Sequence, residues 1–113
     1  MSSRSPRLYV QDILQACADI QEFTRGMISA DDLPKDRCTF LAVIHCLEII
    51  GEAARQTPKG FREKHPEIPW REAIGLRTVI AHEYFGLENE ILWDVIRARI
   101  QSLAEQMRKI DFE

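Results

Sequence analysis

Arg77, His82 and Tyr84 stand at spacing R-x-x-x-x-H-x-Y within a single octapeptide, RTVIAHEY, close to what the surrounding pattern marks as a helix end. Arginine is a permanent cation whose guanidinium can fork onto a phosphate. Histidine moves protons near neutral pH. A tyrosine hydroxyl can donate, accept or be covalently modified. Together they are an inventory for metal-free chemistry on a phosphodiester. The spacing constrains how they could act. Arg77 and Tyr84, seven residues apart, share a helix face about two turns apart, whereas His82 lies roughly 140° around the helix from Arg77. Arg and His therefore do not converge within one straight helix. Either the helix distorts before Gly86, or a second chain completes the group. A two-fold pair would bring two His and two Arg to one cleft. Cleavage through a 2′-hydroxyl benefits from a base and an acid on opposite sides of the phosphorus. In the last helical turn His82 would face the negative end of the helix dipole, which favours imidazolium and raises the pKa. The structural alternatives are a surface ion pair for Arg77, a helix cap for His82 and a packed aromatic for Tyr84.

The elements that must position these residues read as helices. Ser5-Pro6 is a helix start, with Ser as the cap and Pro in the first turn. Val10, Ile13, Leu14, Cys17, Ile20 and Phe23 then recur at helical spacing, with Gly26 as the stop. A second helix is expected from Asp31 or Asp32, with Pro34 in its first turn, to Arg55 or Gln56. Its stripe of Phe40, Val43, Ile44, Leu47, Ile50 and Ala54 is widened by Leu41 and Ile49, which predicts burial on more than one side. Gly51 within it suggests a close helix approach. Thr57-Pro58-Lys59-Gly60 breaks the pattern, Phe61 to His65 is a single short turn, and Pro66 to Pro69 is a rigid connector. A helix from Trp70 to Tyr84 or Phe85 carries the motif and is ended by Gly86. The last runs from Glu88 to Met107. No strand, repeat or low-complexity tract is evident. The expected fold is all-α, an antiparallel helical bundle of four to five helices.

The 113 residues fit one domain, 1–113, with residues 1–5 as a flexible N-terminus. The net charge of −3 excludes a generally basic nucleic-acid-binding surface, so any RNA contact needs a local cationic groove. Eleven of the fifteen basic residues are Arg, which suits phosphate or carboxylate recognition and equally suits surface ion pairs. Cys17, Cys38 and Cys46 form an odd set without C-x-x-C spacing, read as reduced, buried or half-buried thiols of a cytoplasmic protein. Nothing arrives at metal-ligand spacing, and no cofactor is implied. No window reaches the roughly 20 apolar residues of a membrane helix, and the N-terminus lacks a signal-peptide core.

Of the remaining titratable groups, His45 lies in an apolar stretch and reads as a core or interface histidine, and His65 as a loop residue. Glu48 and Glu52 are an i, i+4 pair that either faces solvent or, if buried, needs partners such as Arg55 or Arg77.

Three further segments accompany the motif in order: Leu47-Glu-Ile-Ile-Gly-Glu-Ala-Ala54, His65-Pro-Glu-Ile-Pro-Trp70, and, after Arg77-x-x-x-x-His-x-Tyr-Phe85, a later Trp93. The series, from about Pro6 to Leu103, resembles the HepT-like branch of the HEPN superfamily. The resemblance implies a HEPN-like all-α bundle that is homodimeric, with the R-x-x-x-x-H motifs meeting at the dimer cleft. It implies a metal-independent endoribonuclease acting as the toxin of a toxin–antitoxin pair. The partner it implies is a minimal nucleotidyltransferase that transfers AMP onto the motif tyrosine, within a hetero-oligomer. Carried over, Arg77 and His82 are the catalytic pair and Tyr84 the AMP acceptor, with Thr78 and Glu52 supporting the site or the dimer cleft. Many relatives carry Asn, Asp or His directly after the motif arginine; Thr78, with its shorter reach, puts nuclease strength in question. Two other readings share the fold: a non-catalytic nucleotide- or partner-binding subunit of a nucleotidyltransferase complex, and a purely structural helical dimer.

Overall fold

A computed structural model of the chain describes residues 4–83 and 89–112; within the helix that carries the motif, the side chains of 77–83 lie outside the described residues. The first helix, α1 (Pro6–Phe23), is capped by the Ser5 hydroxyl, which accepts from the Arg7 amide at 3.2 Å. Arg4, just before it, reaches forward to pair with Asp12 at 2.8 Å. The helix stops at Thr24, two residues before Gly26. The buried Thr24 hydroxyl donates to the Ile20 carbonyl at 2.8 Å and takes up an acceptor at the helix end.

The stretch expected to begin the second helix is divided. Ala30–Lys35 forms a 3₁₀ turn, and α2 spans Arg37–Gln56. Two aspartates account for the break. Asp32 accepts the amides of Ile28 (2.8 Å) and Ser29 (3.3 Å), which fixes the turn and holds its own carboxyl below the usual range. Asp36 is extended (φ −127°, ψ 91°) and caps α2 by accepting from the Thr39 amide at 3.1 Å. Short polar side chains that bond nearby amides compete with helix propagation, and Pro34 has no amide to continue it. At the other end of α2, Thr57 repeats the Thr24 device, its hydroxyl donating to Ala53 at 2.8 Å.

A short α3 (Lys59–Lys64) follows, and Trp70 opens α4 (Trp70–Glu83) with its indole N–H donating to the His65 carbonyl at 2.9 Å. The last helical stretch comprises α5 (Asn89–Asp94), a π-helical turn (Val95–Arg99) and α6 (Ile100–Arg108). Glu88, its expected start, lies outside the described residues. The π turn presents Arg97 to the corner after α1. Its guanidinium donates to the carbonyls of Thr24 (3.1 Å) and Met27 and covers the Trp93 ring at 4.3 Å. Among the described residues there is no strand, so the fold is all-α as expected.

Packing follows the apolar stripes. α1 lies along α2, α2 along α4, and α6 returns onto α1. Val10, Ile13, Cys17 and Ile20 of α1 meet Val43, Leu47, Ile50 and Ala54 of α2, with Ile96, Ile100, Leu103 and Met107 closing the core. Gly51 is buried in α2, whereas Leu41 and Phe23, both counted in the apolar stripes, are exposed.

The three thiols divide. Cys17 and Cys46 are free and buried, but Cys38, expected to be buried or half-buried, is exposed on the first turn of α2. Burial pushes the Cys17 thiol up to about 12 and the Cys46 thiol up to about 11, from an ordinary value of 9.0. The sign is set by linkage. Above pH 9 the unfolded chain releases these protons while the folded chain retains them, so stability falls as pH rises through the interval between the two values. The expected slope is at most about 1.4 kcal/mol per pH unit per thiol. Denaturant midpoints measured across that interval should decline less steeply for Cys17→Ala than for the unaltered protein. A parallel decline would contradict the assignment. Under native conditions, alkylation should label Cys38 and spare the other two.

Candidate functional site on α4

Arg77, Thr78 and His82 all fall within α4, which is α-helical from Trp70 through Glu83. The helix is held from its first turn. Trp70, Ala73 and Leu76 are buried in the core, and the Trp70 indole is tied to the α3–α4 connector. Arg77 follows directly after this buried turn, and His82 is the penultimate residue of the helix. Their Cα atoms are therefore about 7–8 Å apart along the axis and roughly 140° apart around it. The distortion that could have brought them to one face is not present as far as Glu83. The side chains of Arg77, Thr78 and His82 lie outside the described residues, and so does Tyr84 altogether.

Glu52 is on α2, the helix against which α4 packs. Its carboxylate is forked by Arg55, at 2.7 Å to Nη2 and 3.3 Å to Nε, and also accepts from Gln56 at 2.9 Å. The expected need for a partner is met by Arg55, one turn along the same helix. Glu48 faces solvent beside His45, at 3.5 Å. His45 is not a core histidine, since its side chain is 70% exposed on the single chain. Its apolar sequence neighbours Ile44 and Cys46 lie about 100° to either side around the helix. The outward direction is set by the i, i+3 and i, i+4 partners Leu41 and Glu48, both of which are exposed.

These groups line a recess on the chain, and a second, smaller one carries His65. The first, about 660 Å³, lies between α1 and α2 and carries Asp12, Glu48 and Glu52 with Arg4 and His45. Three carboxylates give it the wrong sign for a polyanion. The second, about 430 Å³, lies where the start of α1, α3 and the C-terminal residues meet. No local sequence pattern marks it; His65, a connector residue as expected, follows α3 directly. That side chain is only 18% exposed, and its ring lies 4.5 Å from the ring of Phe61. Among the described residues no group of three or more His, Cys, Asp or Glu side chains is placed to hold a metal ion. No described helix is long and apolar enough to cross a membrane.

An all-α bundle that carries R-x-x-x-x-H on its fourth helix defines the class of protein. The family model "Ribonuclease HepT-like" matches residues 13–110, and the chain belongs to that family. It is 43% identical over 107 residues to "Putative RNase TTE0752" of Caldanaerobacter subterraneus subsp. tengcongensis, covering 95% of each chain. Over 107 residues it is also 43% identical to "Probable ribonuclease HepT" of Thermococcus cleftensis, covering 95% of this chain and 96% of that one. "Putative RNase MJ1380" of Methanocaldococcus jannaschii is 36% identical over 107 residues, covering 95% and 97%. No solved structure matches the chain at comparable significance.

Proposed function

We propose that this protein is a metal-independent endoribonuclease whose active group is shared between two copies of the chain. The observation that carries the reading is the regular helix of α4. It separates Arg77 from His82 around its axis, so a group in which both face one phosphate is completed most simply by a second copy. Membership of the HepT-like family supports RNA as the substrate. In this reading Arg77 binds the scissile phosphate and stabilises the charge that develops on it. His82, at the C-terminal end of α4 where the dipole favours imidazolium, transfers protons. The 2′-hydroxyl attacks the phosphorus, the 5′-oxygen leaves with a proton, and the product is a 2′,3′-cyclic phosphate. Thr78 and Glu52 flank the cleft, and the whole chain forms one functional domain.

In the cell this activity is that of the toxin of a toxin–antitoxin pair, restrained by a minimal nucleotidyltransferase that adds AMP to Tyr84. An AMP on that residue would place a phosphate next to Arg77 and fill the space RNA needs. Co-expression with such an enzyme is expected to give a Tyr84-containing peptide heavier by an integral number of AMP units, and protein carrying it should no longer cleave RNA. Tyr84→Phe should stay unmodified and toxic. Modified protein that cleaves at the unmodified rate would contradict this account of restraint.

A further inference from the structure

The smaller recess supplies the local cationic surface that an acidic chain would need in order to hold RNA. Phe61 and Phe112 stack with ring centroids 5.7 Å apart and planes 11° from parallel. The Arg7 guanidinium extends that stack, with its carbon 4.6 Å from the Phe112 centroid. Lys64 and His65 stand on the same wall, the His65 Nδ1 lying 3.4 Å from the Glu67 carboxylate, and Asp111 contributes a further carboxylate. Among the described residues neither Arg7 nor Lys64 takes part in an ion pair. Three side chains that can be cationic thus surround a layered aromatic surface, in contrast to the carboxylate-lined recess between α1 and α2.

We propose that this recess is a second RNA-binding site, which holds single-stranded RNA away from the cleavage motif. A base would continue the stack on the outer side of Arg7, because guanidinium planes and aromatic rings both serve as platforms for unpaired bases. Lys64 would take an adjoining phosphate, joined by His65 when protonated. The proposal rests on the ribonuclease reading above for its biological sense. The position suits that reading, since the recess abuts the connector that Trp70 grips at the start of α4. His82 lies twelve residues along the same helix, about 18 Å away by helical rise. An extended strand of several nucleotides could engage both places, so the site selects longer single-stranded substrates over very short or fully paired ones.

The test measures binding separately from cleavage. The probe is a fluorescein-labelled single-stranded 2′-O-methyl oligouridine, which lacks the attacking hydroxyl and stays intact. Its anisotropy is followed with the unaltered protein and with Arg7→Glu/Lys64→Glu. Both substituted positions are exposed, and circular dichroism verifies the fold. Affinity should fall about tenfold or more, and the dependence of log affinity on log salt should flatten by at least roughly 0.7, the value for the one single-strand phosphate contact that Lys64 makes. The control Lys35→Glu/Arg37→Glu makes the same charge change at the opposite end of α2 and should have a much smaller effect. Phe112→Leu keeps the apolar packing and should weaken binding without changing the salt slope. Binding by Arg7→Glu/Lys64→Glu equal to that of the unaltered protein, or an equal loss in the control, would overturn the proposal. Failure of the ribonuclease reading looks different: unaltered protein that binds the probe and leaves the matching RNA uncut.

Discussion

Arg77→Ala is expected to leave a folded protein that has lost about 10²–10³-fold of its RNA-cleaving rate, the usual cost of removing a donor aimed at developing transition-state charge. The expectation of a retained fold comes from position. Arg77 follows the part of α4 that Trp70, Ala73 and Leu76 bury in the core. Alanine is also the best helix former, so α4 gains intrinsic propensity. Arg77→Lys should recover only part of the rate, because an ammonium keeps the charge but cannot fork onto two phosphate oxygens. Single-turnover cleavage of one labelled RNA by the three proteins, with thermal melts alongside, reads both halves of the expectation. Cleavage by Arg77→Ala within twofold of the unaltered rate would remove Arg77 from the site.

Leu47→Ala is expected to give the largest loss of stability from a single substitution outside the motif, roughly 2–5 kcal/mol. Leu47 is fully buried, and α2 is the helix that touches both α1 and α4. A cavity there would lie in the shared core between packed helices, which close onto it only in part. Leu41→Ala, on the exposed side of the same helix, should change stability by no more than about 0.5 kcal/mol. Denaturant titrations of the pair give the contrast directly; similar losses at both positions would mean that α2 is packed differently. The same substitution bears on function. Loosening α2 releases the surface against which α4 rests, so Leu47→Ala should lose cleavage in step with folded fraction and not beyond it.

Much of the helical plan was legible because it depends on short-range chemistry. Ser5-Pro6 marked the start of α1, and Thr57-Pro58 the end of α2. Spacing identified the buried side of each long helix through Ile13, Cys17, Leu47 and Ile100. Errors arose where a side chain competes with the backbone or where flanking residues mislead. Asp32 and Asp36 capture amides locally and divide what periodicity alone reads as one helix. His45 was drawn inward by its apolar neighbours in sequence, although a helix places those neighbours on other faces. Cys38 was grouped with its buried counterparts by residue type, while its place in the first turn of α2 exposes it.

The motif was legible for a different reason. Arg, His and Tyr at fixed spacing carry their chemistry whatever the surroundings, and the spacing itself showed that one straight helix separates Arg from His. What spacing could not supply was the aromatic recess. Phe61 and Phe112 belong to segments distant in the chain and Arg7 to a third, so no local pattern joins them. Only the return of the C-terminal residues onto α3 and the start of α1 brings the three together.

Cleavage of RNA without a metal, through His82, is the activity on which all else here depends. Purified unaltered protein and His82→Ala, both verified as folded, would be incubated with labelled single-stranded RNA in EDTA and the products resolved. The unaltered protein is expected to cleave, leaving ends that bear 2′,3′-cyclic phosphate, and removal of the histidine to cost about 10²–10⁴-fold in rate. No cleavage by either folded protein, or equal cleavage by both, would contradict this expectation; the first result would favour a binding subunit of a nucleotidyltransferase complex built on the same fold.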